Sequence, residues 1–241
     1  MPQARLAACC AGGDRVRFVP DAPSAPEAFC AIRSYLVTRS TGGDPFVITP
    51  SYHSRRIVLR QSPAEEDVQL FADEIGWRRR VDEPYNRDRR AVHEVAWFAD
   101  PALLLRYAED PVSRHSYVEA WATDQDKADT FAELAAERLD AWGEDELLKS
   151  FDATDPMTRA VAAIRIGLAS PEQFDERFFS RIRTGMSDPD RRVREAAIYA
   201  TVYAAWSQYI QILQDVERSD PDTELRQDAR KALNVIGTEE P

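Results

Sequence analysis

The stretch SDPDRRVREAAIYA, residues 187–200, decides the fold of the C-terminal part of this chain. Similar stretches flank it on both sides at nearly equal distances. DPMTRAVAAIRIG begins at Asp155, DPDRRVREAAIYA at Asp188 and DPDTELRQDARKAL at Asp220, which gives spacings of 33 and 32 residues. Self-similarity at such a period is typical of stacked helical repeats. The sequence therefore predicts an all-α repeat region.

Each repeat is predicted to begin with a helix that has an aspartate, Asp155, Asp188 or Asp220, as its N-cap. A proline follows at the first helical position, where a missing N–H leaves no hydrogen bond unmade. Apolar residues then recur at helical spacing, and many are alanines, which allow neighbouring helices to approach closely. Second helices are predicted in PEQFDERFFSRI and YIQILQDV, with these residues facing inward: Phe174, Phe178, Ile182, Tyr209, Ile210, Leu213 and Val216.

This pattern resembles the HEAT-like repeat family, whose first helices often read D-P-x-x-x-V-R-x-x-A-x-x-A-L. The first repeat departs from it, with Ala160 and Val161 where a branched residue and an arginine would stand. The resemblance covers about residues 144–237 and implies a short HEAT-like solenoid over residues 144–241. Such solenoids serve as scaffolds, inhibitors and occasionally enzymes, so the resemblance implies a fold rather than one function. The matching residues are Val193, Arg194 and Ala197 in the second repeat, and Leu225, Arg226, Ala229, Ala232 and Leu233 in the third.

Charged residues that recur with the repeat are interpreted as structural. Arg194 and Arg226 occupy the same repeat position, and we expect each to bond to a carboxylate or a carbonyl group of the adjoining unit. Asp155, Asp188 and Asp220 complete this structural set.

Four other residues form the candidate interaction surface. Arg191 and Arg192 lie in a first helical turn, where Asp188 and Asp190 are expected to neutralise them. Trp206 and Tyr209 lie at the predicted turn between two repeat helices. There an aromatic side chain either closes the solenoid against its neighbour or faces a partner. The candidate surface is therefore Arg191, Arg192, Trp206 and Tyr209.

The N-terminal half has a different pattern, typical of an α+β domain with an antiparallel sheet and helices. We expect residues 1–22 to be a flexible N-terminus and residues 23–143 to form this domain. Short turns between period-2 segments predict a meander of three strands. The predicted elements are a helix at 25–40, short strands FVIT and RIVLR, a helix from a Ser62-Pro63-Glu65 capping box to Gly76, strands AVHEVAWFAD, ALLLRYA and HSYVEAWAT, and a helix from Thr123 or Asp124 to Trp142.

Charge excludes several classes of partner. The formal net charge is -11, and both halves of the chain are acidic, so neither attracts phosphate backbones. No stretch approaches the roughly 20 apolar residues of a membrane span. We therefore expect another protein as partner, with no nucleic acid and no membrane.

Catalytic and metal-binding patterns are missing from the sequence. His53, His93 and His115 stand far apart, without metal-ligand spacing, and no Walker loop, dinucleotide-binding fingerprint or nucleophile elbow occurs. His93 and His115 could still meet across the sheet and approach Cys30, which keeps a metal or Cys–His site as an alternative. We expect no catalytic residue, no metal and no cofactor.

The cysteines favour a reducing compartment. Cys9, Cys10 and Cys30 are odd in number, and two of them are adjacent, so a disulfide framework is not expected. A cytoplasmic location follows from this. The tetrapeptide LAAC, ending at Cys9, matches a lipoprotein cleavage site, but only five residues precede it, which leaves the true start of the chain open.

A non-enzymatic protein–protein interaction or adaptor protein of bacterial type is the function that these patterns predict. The bacterial origin follows from 28 arginines against three lysines. Two alternatives remain open. One is an immunity protein that neutralises a basic toxin, which the acidic charge would suit. The other is an enzyme such as a HEAT-like DNA glycosylase, which the acidic charge disfavours.

Overall fold

The computed structural model describes residues 8–10, 16–18, 52–83, 93–100, 102–110 and 113–237. The predicted helix at 25–40, the strand FVIT and Cys30 lie outside these residues. Within the segment expected to be flexible, β1 (Ala8–Cys10) and β2 (Val16–Phe18) pair as a two-stranded sheet. From Tyr52 onward the described residues fall into two compact units, one ending at Trp142 and one beginning at Gly143. We call them the sheet unit and the helical unit.

The sheet unit contains an antiparallel sheet with the strand order β3-β8-β7-β6-β5, and β4 also pairs with β8. The predicted three-strand meander is confirmed, with Leu105 opposite Trp97 on one side and Ala120 on the other. The strands are β3 (Tyr52–His53), β4 (Ile57–Val58), β5 (Arg78–Glu83), β6 (Glu94–Asp100), β7 (Leu103–Glu109) and β8 (Ser116–Ala122).

Strand β5 corrects the sequence prediction, which treated the arginine-rich stretch after Gly76 as a connection. Among the described strands it is the outermost, and it pairs there with β6, through Arg78 opposite Phe98 and Arg79 opposite Trp97. Charged side chains suit an edge strand, because they discourage pairing with other chains. The charged residues that prevented the prediction of this strand therefore suit its position at the edge of the sheet.

Two helices, α1 (Glu65–Glu74) and α2 (Gln125–Arg138), pack on one face of the sheet. The predicted capping box at α1 is wrong, because the N-cap is Ala64 and no side chain caps the helix. The Ser62 hydroxyl instead donates to the Arg114 carbonyl and bonds to the Ser116 hydroxyl. The core between the two layers includes Val68, Phe71, Ala72, Val95, Trp97, Leu105, Tyr107, Val118, Ala120, Ala132 and Ala135.

The ends of α2 are set by identifiable contacts. Asp124 is the N-cap and accepts a bond from the Lys127 amide at 2.8 Å. The helix was predicted to continue to Trp142, but it ends at Arg138. Ala141 instead forms a β-bridge with Leu59, and the Trp142 amide donates to the Val58 carbonyl, so the sheet captures this segment.

The described α-helices of the helical unit are α3 (Glu144–Ser150), α4 (Pro156–Ala169), α5 (Glu176–Gly185), α6 (Arg191–Ala204), α7 (Ile210–Ser219) and α8 (Thr223–Ile236), and a 3-10 helix, Ser207–Tyr209, precedes α7. Helices α4, α6 and α8 pack side by side in a row. Helix α3 packs on α4, α5 on both α4 and α6, and α7 on α8. The architecture of the whole described chain is therefore mixed α+β.

Gly167 marks a very close approach of two helices of this row. A Cβ atom at this position would lie 2.5 Å from the Cα and 2.7 Å from the carbonyl oxygen of Ala200. Only glycine allows α4 and α6 to approach this closely. Both helices also carry buried alanines, among them Ala160, Ala163, Ala196 and Ala197.

Candidate functional site

An aspartate caps the N-terminus of each helix in the row. Asp155 accepts from the Thr158 amide, Asp190 from the Arg192 amide and Asp222 from the Glu224 amide. The predicted caps Asp188 and Asp220 are therefore wrong, and only Asp155 was assigned correctly.

Asp188 and Asp220 lie two residues before the caps and shape the linkers instead. Each accepts a bond at 2.8 Å from the backbone amide of the capping aspartate that follows it. Each also accepts hydrogen bonds from an arginine of the preceding unit of the row. These two aspartates are thus structural, in a different role from the predicted one.

Two arginine–aspartate bridges connect successive units of the row. Arg159 donates to Asp188 through Nε at 2.9 Å and Nη2 at 3.1 Å. Arg194 donates to Asp220 through the same two nitrogens, at 2.8 Å and 3.2 Å. Such bidentate pairs are the strong and geometrically specific form of the charged hydrogen bond. We call this arrangement the rung, and the two rungs join α4 to the linker before α6 and α6 to the linker before α8.

The linker behind each rung holds the arginine in position. The Nη1 atom of Arg159 donates to the carbonyl oxygen of Ala153 at 3.1 Å, and that of Arg194 donates to the carbonyl oxygen of Asp188 at 3.1 Å. In both cases the acceptor is six residues before the arginine. Each guanidinium therefore bonds within its own unit through one nitrogen and to the next unit through the other two.

Arg159 was missed by sequence reasoning. The three stretches were aligned on Asp-Pro, which placed Ala160 and Val161 at the repeat positions and made the first repeat look degenerate. Aligned on the true caps, Arg159, Arg194 and Arg226 each stand four residues after the capping aspartate. An arginine four residues after an aspartate was the signal that could have revealed the first rung.

Arg226 occupies the same position in the last unit, but its contacts differ. Its Nη1 donates to the carbonyl oxygen of Asp220 at 2.6 Å, again six residues earlier, and its Nη2 donates to the Thr223 hydroxyl at 2.9 Å. We expected it to bond to an adjoining unit, but both acceptors belong to its own. Within the described part of the chain, no carboxylate pairs with Arg226.

Burial and bonding act in opposite directions on the rung carboxylate Asp188. Burial by itself raises the pKa of the Asp188 carboxyl, but the bonds from Arg159 and from the Asp190 amide outweigh it and leave the pKa below its usual value. The bond to Asp188 likewise raises the pKa of Arg159. The pair is therefore ionised at neutral pH, and each charge has its partner.

Arg191 and Arg192 face different partners, and only one of them matches the prediction. Arg192 bonds to Asp190, as expected, with Nη2 2.7 Å from Oδ2. Arg191 bonds instead to Asp222 and Glu224 of the next unit, at 2.5 and 2.7 Å, and to Glu195 at 3.0 Å. Arg191 is thus a further link between units, and the expectation that Asp188 and Asp190 neutralise it is wrong.

These contacts predict unequal effects of two neighbouring substitutions. We expect Arg191→Ala to lower the free energy of unfolding by about 1 kcal/mol, since it removes a network of three ion pairs. We expect Arg192→Ala to have the smaller effect, because it removes a single, partly exposed ion pair within its own unit. Urea denaturation of both variants measures the difference. Equal effects would show that the bonds from Arg191 to the next unit contribute nothing.

Acid should weaken the helical unit through the capping aspartates. The bond from Arg192, opposed by burial and aided by the Arg192 amide, lowers the pKa of Asp190 to about 2. In the unfolded chain this carboxyl titrates near pH 3.9, so it stabilises the folded state above about pH 4, and this stabilisation is lost as the pH falls toward 2.

Asp190→Asn tests this pH dependence, because asparagine keeps the helix cap and removes the charge. We expect the variant to be less stable than the wild type at pH 6 and equally stable near pH 2, as measured by urea midpoints. A gap of the same size at both pH values would mean that the charge of Asp190 contributes no stability.

Trp206 and Tyr209 do not form an exposed surface. Trp206 is 5% exposed and Tyr209 is fully buried, so assigning them to the interaction surface was wrong. Their rings stack at 5.9 Å, and the Trp206 indole donates to the Glu172 carbonyl at 3.1 Å. Burial raises the pKa of the Tyr209 hydroxyl. Of the two predicted roles of Trp206, the structure shows packing against neighbouring turns of the helical unit and not exposure to a partner.

Phe174 is the aromatic residue that reaches the surface at these turns. It was predicted to face inward on a helix, but it precedes α5 and is 42% exposed. Its ring contacts Phe179 and Trp206, each at 5.3 Å, so its position is supported from beneath.

Several polar groups of the sheet unit are paired with one another. His93 lies 2.6 Å from Glu65, which also binds Arg79, and the Tyr107 hydroxyl contacts Ser116 and Glu109. Burial raises the pKa of Tyr107, so this hydroxyl is a poor acid at neutral pH. In the described segments no group of three or more His, Cys, Asp and Glu could hold a metal ion.

Comparisons with known proteins add no relative: no protein-family model, no curated protein and no solved structure matches the chain. Among the helices that the structure describes, none has the length and apolar character needed to cross a membrane.

Proposed function

We propose that this chain is a non-catalytic interaction protein whose helical unit is a short HEAT-like solenoid that binds another protein. One observation carries the proposal: an aspartate cap, an arginine four residues later and a carbonyl contact six residues before that arginine recur in three successive units. Repeated units that contact only their neighbours form extended surfaces, and proteins use such surfaces mainly for binding.

The exposed part of the proposed binding surface includes Phe174. Aromatic residues are enriched at protein interfaces, and a ring packed against Phe179 and Trp206 loses little conformational freedom when a partner covers it. Arg191 and Arg192 lie at the opposite ends of the helices, and each already forms an ion pair with a carboxylate. They are therefore weaker candidates for a partner contact than Phe174.

Purification of the tagged full chain from its native host tests the proposal. We expect a protein to be retained at a fixed stoichiometry and to bind again when both are purified separately. Phe174→Ala should weaken this binding, whereas Leu70→Ala, an exposed apolar residue of the sheet unit, should leave it unchanged. Failure of every captured protein to bind again in purified form would contradict the proposal.

The acidic charge supports the more specific proposal of an immunity protein. A net charge of -11 favours a basic partner and accelerates its association at low salt. We expect the partner of this version to be a basic toxin whose activity stops when the chain is added. A captured partner that is acidic, or whose binding is insensitive to salt, would exclude it.

The alternative of a DNA glycosylase has less support. Arg159, Arg191, Arg192 and Arg194 are all bonded to carboxylates, which leaves them poorly suited to hold phosphates. A gel shift at low salt is the direct check. Saturable binding that weakens steeply with salt would favour this alternative over the interaction protein.

A further inference from the structure

The two rungs show which chemical group the repeated arginine binds. In both, Nη1 bonds to the linker of its own unit, and Nε with Nη2 grips a carboxylate of the next unit. Arg226 repeats the first contact, with Nη1 on the Asp220 carbonyl. Its guanidinium is therefore held by the same backbone contact as the two arginines that bind carboxylates.

Donors of Arg226 remain for a further acceptor. Nη2 carries two hydrogens and Nε one, and Thr223 is the only side chain, among the described residues, that bonds to them. Arg226 is half-buried, and its neighbours Gln227 and Arg230 on α8 are exposed. The outer side of α8, the last helix that the structure describes, is thus accessible at the point where α4 and α6 contact the next unit.

The linkers that supply carboxylates to the rungs share one sequence. Residues 187–190 and 219–222 both read Ser-Asp-Pro-Asp. In each linker the first aspartate binds the arginine of the rung, and the second caps the following helix. The ligand of the repeated arginine is therefore an aspartate in a tight linker immediately before a helix.

We propose that Arg226 binds an aspartate of the partner protein, presented in a linker before a helix as in Ser-Asp-Pro-Asp. This inference rests on the proposed function and names the chemical group that the partner contributes. The partner would continue the row of helices beyond α8, with its own first helix in place of a further repeat.

A second copy of this chain does not fit this description. The residue of its first unit that corresponds to Asp188 and Asp220 is Ala153, so a copy stacked head to tail presents no carboxylate in register. This favours a different protein as the occupant. Because the chain as a whole carries -11, the partner's surface around that aspartate should be neutral or basic.

A peptide titration followed by NMR tests the site without the partner. The probe is acetyl-Ser-Asp-Pro-Asp-amide, and the control is acetyl-Ser-Asn-Pro-Asp-amide, which lacks the first carboxylate. We expect the probe to shift the Nε–Hε resonance of Arg226, assigned with Arg226→Lys, and the control to bind about fivefold more weakly. Equal binding of the two peptides, or shifts that spare Arg226, would overturn the inference.

Variants of the full chain complete the test. Arg226→Ala should weaken binding of the purified partner about tenfold or more, as expected for a charged hydrogen-bonded contact. Arg230→Ala is the matched control, because it removes an arginine that is 71% exposed on the same helix. Partner binding that survives Arg226→Ala would overturn this inference and leave the proposed function standing, whereas absence of any partner would contradict the function itself. Self-association abolished by Arg226→Ala would overturn the choice of a different protein.

Discussion

Gly167→Ala is expected to disrupt the helical unit more than an alanine at any other described glycine. The added Cβ would lie 2.5 Å from Cα and 2.6 Å from Cβ of Ala200. Backbone atoms cannot move aside as a flexible side chain can, so α4 and α6 must separate along the row. We expect a net loss of about 3 kcal/mol. Because the clash is with backbone atoms, the overpacking should exceed its usual range and cost about 4 kcal/mol, of which the gain in helix propensity offsets about 1 kcal/mol.

Urea denaturation followed by far-UV circular dichroism measures this loss, since most of the helical signal comes from the helical unit. Gly143→Ala is the control, because a Cβ there meets no atom within 4 Å. We expect that control to lose less than about 1 kcal/mol, the value of a helix N-cap preference. A Gly167→Ala variant as stable as the wild type would mean that α4 and α6 are less tightly packed than the structure shows.

Arg194→Ala is expected to have the second large effect. Its partner Asp220 is 4% exposed and Arg194 itself 13%, so the substitution leaves a buried carboxylate without its counter-charge. Breaking a buried pair from one side typically costs about 3–5 kcal/mol. We expect about 3 kcal/mol here, which corresponds to a fall in Tm of roughly 6–12 °C.

The same substitution at the last repeated arginine is the matched control. Arg226→Ala removes bonds to the Asp220 carbonyl and to Thr223 but leaves no buried carboxylate unpaired. We expect it to cost about 1 kcal/mol. A variant Arg194→Ala that is no less stable than Arg226→Ala would show that the rung carries no special stability.

Local patterns predicted the elements of the sheet unit where apolar periodicity was strong. The alternation in β6 and β7 and the apolar residues of β8 were sufficient to predict the meander. Strands β6 and β7 bury one face, whereas β8 is buried along nearly its whole length. Strand β5 was missed because Arg78 and Arg79 lack that alternation. Its pairing depends on β6, a contact that its own residues do not encode.

The repeat was predicted from spacing, but its register was not. Asp-Pro caps a helix at Asp155 and precedes the cap by two residues at Asp188 and Asp220, so identical letters play different roles. Which aspartate caps a helix depends on what the other one binds. Arg159 and Arg194 bind the other aspartate of each linker. Because these bonds join different units, they are tertiary contacts that the local sequence does not reveal.

Exposure of the aromatic residues was likewise not predictable from their neighbours in sequence. Trp206, Tyr209 and Phe174 all stand at turns of the helical unit. Two are buried and one is exposed, because contacts between different turns determine which rings are covered. The prediction of the interaction surface therefore needed more correction than the prediction of the fold.

A double-mutant cycle across Arg194 and Asp220 tests most directly the claim that rungs join the repeated units. Arg194→Met keeps the apolar stem, and Asp220→Asn keeps an oxygen for the Asp222 amide. The account predicts that the two losses of unfolding free energy are non-additive, with a coupling of about 2 kcal/mol. Losses that add to within about 0.3 kcal/mol would contradict it.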